Sequence, residues 1–266
     1  MERLKLLAID VGNTNVTIGV FEGDRLEHSW RLAALRERTA DELGIFTTRL
    51  FEHTSVDAAH LAGIVIASVV PPLTRPMEEM CERYFGQTAL IADASNAGMT
   101  VRYTPVGDVG ADRIVNAVAA RERYGKAGIP LIIVDFGTGT TFDIVSRDGE
   151  YIGGVICPGI GISAEALFQR AARLPRVEVR KPPVVIGQNT VNAMQSGLFF
   201  GYVEMVDGLV RRIREELPSG DLARVIATGG LADVISGESR SIQQVDANLT
   251  LDGLRLIWLR NRRAQN

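Results

Sequence analysis

Residues 131–155 read LIIVDFGTGTTFDIVSRDGEYIGGV, and the order of elements in this stretch decides the fold. An apolar run leads into the turn Asp135-Phe136-Gly137-Thr138-Gly139-Thr140; a strand, a turn at Asp148-Gly149 and another strand follow. The start of the chain repeats that order. An apolar run over residues 4–9 enters Asp10-Val11-Gly12-Asn13-Thr14-Asn15, residues 16–21 form a strand, Glu22-Gly23-Asp24-Arg25 turns, and residues 26–32 form a third strand. Asp10 aligns with Asp135 and Gly12 with Gly137, at an offset of 125.

A second echo lies downstream, where Ile64-Val65-Ile66-Ala67-Ser68 resembles Arg224-Val225-Ile226-Ala227-Thr228 at an offset of 160. The chain therefore reads as two copies of one unit of three strands followed by α/β elements. The second copy carries 35 additional residues between Asp135 and Thr228. Helices fill the gaps. Thr39-Ala40-Asp41-Glu42 has capping-box spacing before a helix through Phe51, Val109 to Arg113 opens one ending near Gly125, and residues 251–262 close the chain with another. Residues 189–216 form a long helical region, with a break expected near Gly197 and Gly201, stopping at Pro218. The expected fold class is α/β with two duplicated lobes, 1–125 and 126–266, each a mixed sheet with flanking helices.

Composition narrows the partners. Among 266 residues, 29 Lys and Arg stand against 32 Asp and Glu for a net charge of -3, which argues against gripping nucleic acid or an anionic membrane. Cys81 and Cys157 lack CxxC spacing and the three histidines lack ligand spacing, so neither a disulfide framework nor a zinc site is expected. The opening MERLKLLAID is too quickly acidic for a signal-peptide core, and the apolar stretch 61–70 is about half of what crosses a bilayer. The expectation is a soluble cytoplasmic protein.

Acidic, Gly- and Thr-rich turns between paired strands suit phosphate, because glycine admits close backbone approach, amides and hydroxyls donate, and a carboxylate can hold a cation. A single Asp-x-Gly turn is a common hairpin device. Two in repeated units imply two walls across a cleft that holds a nucleotide. No GxxxxGK[ST] occurs, and Gly137-x-Gly139 lacks the third glycine of a dinucleotide fingerprint, so the cradle is of another kind. Gly229-Gly230 could bring backbone close to a base or sugar, or could be an ordinary helix-entry loop. Asp112 begins a helix, where aspartate often caps, yet a phosphoryl transferase needs a carboxylate to accept the proton of the attacking hydroxyl. Asp112 is the best-placed candidate.

Five segments together resemble the type III pantothenate kinases: residues 10–15, Gly110-Ala111-Asp112-Arg113, residues 135–141, Gly187-Gln188-Asn189-Thr190 and residues 249–254. They run in order over nearly the whole chain. The first and third are shared with the wider acetate and sugar kinase/Hsc70/actin superfamily, whereas the segment at 110–113 is particular to this family. The resemblance implies duplicated actin-like (ribonuclease H-like) lobes, an active site in the interlobe cleft, a homodimer, and transfer of the ATP γ-phosphoryl to the primary hydroxyl of pantothenate, the first step of coenzyme A synthesis.

By the same resemblance Asp10, Val11, Gly12, Asn13, Thr14, Asn15, Val16 and Thr17 would bind ATP phosphates, with Asp10 acting on magnesium directly or through water, and Thr138 would touch ATP. Asp112 would be the general base, with Gly110, Ala111 and Arg113 around pantothenate. Asp135 would coordinate a monovalent cation, potassium or ammonium. Tyr103 and Thr190 match pantothenate contacts, the latter from the second subunit. From the residues alone, Tyr103 reads as a half-buried strand aromatic and Thr190 as a helix cap. Arg113 pairing with the substrate carboxylate would hold the hydroxyl near Asp112. Two alternatives stand beside this: another small-molecule kinase of the superfamily, which residues 110–113 disfavour, and a nucleotide-binding accessory protein without turnover.

Overall fold

The computed structural model describes residues 5–126 and 128–265, so Leu4, placed in the first strand by sequence, lies outside the described residues. By their contacts the residues form two compact units. One takes the chain up to Met99, Thr104–Ala119 and the segment from Thr250; the other takes Thr100–Tyr103 and Ala120–Leu249. These bounds differ from a division in chain order at residue 125, because the C-terminal segment belongs with the first unit.

In the first unit β1 (Lys5–Val11), β2 (Asn15–Glu22), β3 (Arg25–Ala33), β4 (Leu61–Ser68) and β5 (Leu90–Ile91) form a mixed sheet of order β3-β2-β1-β4-β5. β1 runs antiparallel to β2 and parallel to β4. Being central, β1 is apolar on both faces rather than alternating, as its run Leu6 to Ile9 requires. Helices α1 (Ala40–Thr54) and α2 (Pro71–Phe85) supply Leu43, Phe51, Leu73 and Met77 to a core with Leu7, Ile9 and Val11. The capping box forms as expected: Thr39 accepts from the Glu42 amide while the Glu42 carboxylate accepts from the Thr39 amide.

The alternate sheet face, carrying Ala8 and Asp10 on β1 and Gly19 on β2, receives the C-terminal helix. That helix is α7 (Leu249–Gln265), and α3 (Ala111–Tyr124) packs against it. A β-carbon on Gly63 of β4 would lie 2.4 Å from Trp258, and one on Gly253 would lie 2.1 Å from the Val115 carbonyl oxygen. Only glycine at both positions lets α7 lie this close to the sheet and to α3. The Thr250 hydroxyl donates to Asn116 Oδ1 at 2.8 Å between the same two helices.

The second unit repeats the sheet. Strands β6 (Leu131–Phe136), β7 (Gly139–Val145), β8 (Tyr151–Pro158), β9 (Arg224–Thr228) and β10 (Gln244–Val245) have the order β10-β9-β6-β7-β8, the first sheet's order strand for strand. Asp10 stands opposite Thr17 and Ala67, and Asp135 opposite Thr141 and Thr228. Thr228 thus takes the place of Ala67 rather than Ser68, one residue out of the echo read from residue types. Helices α4 (Ile160–Arg170), α5 (Thr190–Glu216) and α6 (Ala232–Ser236) cover one face. The excess of the second copy is α4 and the segment after it.

The break expected in α5 is absent. The helix runs unbroken for 27 residues through Gly197 and Gly201, because Leu198, Phe199, Val203, Val206 and Val210 carry a buried stripe across both. Each glycine costs about 1 kcal/mol against alanine, less than burying one such side chain returns. Among the described residues no helix is long and apolar enough to cross a membrane.

Candidate active site

Residues 12–14 form the tight turn between β1 and β2, whose ends supply residues 10–11 and 15–17. The Gly12 amide donates to the Asn15 carbonyl at 3.0 Å, the Ala34 amide donates to the Thr14 carbonyl at 2.9 Å, and Asn13 and Thr14 are exposed. Val11 and Val16 are buried in the α1–α2 core, which sends Asp10 and Thr17 to the opposite face, the one that receives α7.

Asp112 comes to the same edge of this unit. The Val69 amide donates to the Val11 carbonyl at 3.1 Å, and Gly110 sits against Val69, where a β-carbon would lie 3.4 Å from Cγ1. The Gly110 carbonyl accepts the amides of Arg113 and Ile114 and starts α3. Asp112 therefore lies in the first helical turn, and its Oδ1 accepts the Arg113 amide at 2.8 Å. Burial pushes the Asp112 carboxyl above its ordinary 3.8, against the amide and charge of Arg113, which lower it. A carboxylate made more basic by burial beside a phosphate-type turn is suited to taking a proton from an alcohol. Arg113 is 6% exposed, and Ala111 is half-buried.

The second unit holds the matching turn. Asp135 is the last residue but one of β6 and stands opposite Thr141, and Phe136 turns into the α4–α5 core. Gly229, at φ +90°, brings the end of β9 against it: a β-carbon there would meet Asp135 Oδ1 at 2.5 Å and the Phe136 backbone at 2.7 Å. The close approach of backbone at Gly229 is thus to Asp135 and Phe136 of the same unit. The Gly159 amide donates to the Thr138 carbonyl at 3.1 Å, and a β-carbon on Gly159 would stand 2.1 Å from that oxygen. This support of the turn was missed; the signal was the pair Pro158-Gly159 closing a strand.

Tyr103 is half-buried and lies in the loop after an isolated bridge at Val101 rather than in a strand, its ring tilted on Tyr151 at 6.4 Å between centroids. Thr190 is the first residue of α5 and is exposed; Asn189, not Thr190, is the cap, accepting the Asn192 amide at 2.9 Å. Among the described residues no group of three or more His, Cys, Asp or Glu gathers for a metal. Magnesium with ATP does not need one, since it keeps waters and uses one or two carboxylates plus phosphates, and half-exposed Asp10 at a phosphate-type turn fits that donor set.

The family profile for type III pantothenate kinase matches residues 6–212. The type III pantothenate kinase of Myxococcus xanthus is 54% identical over 257 residues, covering 96% of this chain and 98% of its own. That of Brevibacillus brevis is 50% identical over 257 residues, covering 96% and 99%. Among solved structures, MreB 5 of Spiroplasma citri bound to AMPPNP superposes at TM-score 0.59 with 10% identity, covering 99% of this chain and 98% of its own, a likeness of actin-type fold alone. With a profile over most of its length and relatives at half identity end to end, the chain belongs to the type III pantothenate kinase family, kinases that phosphorylate pantothenate in coenzyme A synthesis.

Proposed function

We propose that phosphoryl transfer from ATP to the primary hydroxyl of pantothenate uses Asp112 as general base, and that the turns at Asp10 and Asp135 serve the phosphates and their cations. The observation that carries this is the raised carboxyl of half-buried Asp112 at the edge of the first unit where Val11, Val69 and Gly110 meet. Asp10 to Thr17, with Val11 and Val16 anchoring the turn, bind the ATP phosphates, and Thr138 contacts ATP. Magnesium held at Asp10 neutralises the charge that develops on the phosphoryl oxygens. Asp135 takes potassium or ammonium. Tyr103, Gly110, Ala111 and Arg113 surround pantothenate, Arg113 through its carboxylate.

The protein acts as a homodimer in the cytoplasm, without nucleic acid or membrane partners. Exposed Ile162, Leu167 and Phe168 on α4, Val185 and Ile186 after it, and Val191 in the first turn of α5 support dimerisation. Ile186 is 83% exposed, and exposed apolar surface of this kind supports association. Thr190 adjoins Val191, which supports its reaching the pantothenate of the second subunit. Free Cys81 and Cys157 suit a reducing compartment. The reading is tested by ADP formation with ATP, magnesium, potassium and pantothenate. Pantothenate-dependent ADP supports it; ATP binding without such turnover would favour the accessory protein.

A further inference from the structure

Asp143 and Tyr151 are both wholly buried in the second unit. Asp143 sits in mid β7 between Phe142 and Ile144, in a strand otherwise apolar to its end. The Tyr151 hydroxyl donates to its Oδ1 at 2.9 Å and the Thr141 hydroxyl to its Oδ2 at 3.0 Å. Tyr151 in turn fixes the segment bearing Tyr103. Its amide donates to the Thr100 carbonyl at 2.9 Å, its carbonyl accepts the Arg102 amide at 2.8 Å, and its ring carries that of Tyr103. Gly153 at φ +115° leaves room beneath the same ring, where a β-carbon would stand 3.8 Å away.

A valine at 143 and a phenylalanine at 151 would fill the same space without desolvating a carboxylate. A buried polar group held by two hydroxyl donors gains directional precision rather than stability from that arrangement. The precision is directed at Tyr103, because Asp143 fixes the hydroxyl end of the Tyr151 ring while the Tyr151 backbone fixes residues 100–102. We infer that Asp143, acting through Tyr151, is a positioning residue that sets Tyr103 against pantothenate; this rests on the reading of Tyr103 as a pantothenate contact.

The test is steady-state kinetics of Tyr151→Phe, Asp143→Asn, their double variant and Tyr103→Ala, with pantothenate and ATP varied separately. Tyr151→Phe keeps the ring and removes only the hydroxyl, and a thermal melt beside the kinetics checks that it folds. Loss of this bond is expected to raise the pantothenate KM about tenfold while the ATP KM stays within twofold. The double variant should be no worse than the poorer single one, because the two groups act as a pair. A merely structural role would lower the active fraction and kcat and leave KM unmoved. A raised pantothenate KM in Tyr103→Ala with no change in Tyr151→Phe would overturn the inference and leave the Tyr103 contact standing. An unmoved KM in Tyr103→Ala would remove both.

Discussion

Gly110 lies directly beneath the Asp112 carboxylate: a β-carbon on it would stand 2.6 Å from Oδ1. Real carbon atoms do not approach so closely, so Gly110→Ala must rotate or displace that carboxylate. A misplacement of about 1 Å at a reacting group costs on the order of a hundredfold in rate. The expected result is a fall of that size in kcat with the folded protein retained, measured as ADP release beside a thermal melt.

Burial of Asp112 has two consequences for pH. Its folded pKa is raised above 3.8, so the native state holds the proton more tightly than the unfolded chain and stability falls as pH rises through the folded pKa. Above the folded pKa the ionised carboxylate is a cost, and there Asp112→Asn should melt higher than the parent, with the gap closing as pH falls towards 3.8. The acid limb of kcat/KM in the parent should lie above 3.8 for the same reason. Melting curves and rate profiles between acid and neutral pH check both.

Gly229→Ala combines a left-handed backbone at φ +90° with a clash on Asp135 Oδ1 and the Phe136 backbone. Strain of this kind costs about 1–3 kcal/mol. The variant should melt lower and lose its stimulation by potassium. In the parent, replacing potassium by sodium should lower activity substantially; indifference to the cation would count against the role given to Asp135.

Thr140 shares a sheet face with Phe142 and is wholly buried, and its hydroxyl has no hydrogen-bond partner among the described residues. Thr140→Val keeps the shape and removes an unsatisfied polar atom. It should stabilise by about 1 kcal/mol, read from denaturant melts.

Local features of this chain were legible in its sequence because local rules make them. The Thr39 and Glu42 capping box, the turns at Asp10 and Asp135 and the start of α3 all form where residue type and spacing place them. The return of α7 to the first unit depends on room left by Gly63 for Trp258, far apart in the chain, and no local pattern carries that. α2 is hard to read from sequence because it opens on Pro71 and Pro72, at opening helical positions where proline is tolerated, and carries Pro76 inside. Asp143 left one trace, an acid among Phe142, Ile144 and Val145; its partner Tyr151 lies across a strand pair, where only the register shows it.

The central claim is that Asp112 takes the proton of the pantothenate hydroxyl. Pantothenate-dependent ADP formation by Asp112→Asn, set beside the parent under saturating ATP, magnesium and potassium, tests it most directly. General base catalysis is worth about 100- to 10,000-fold, so the variant should fall by at least 100-fold while still binding ATP. Full activity in Asp112→Asn would contradict the account.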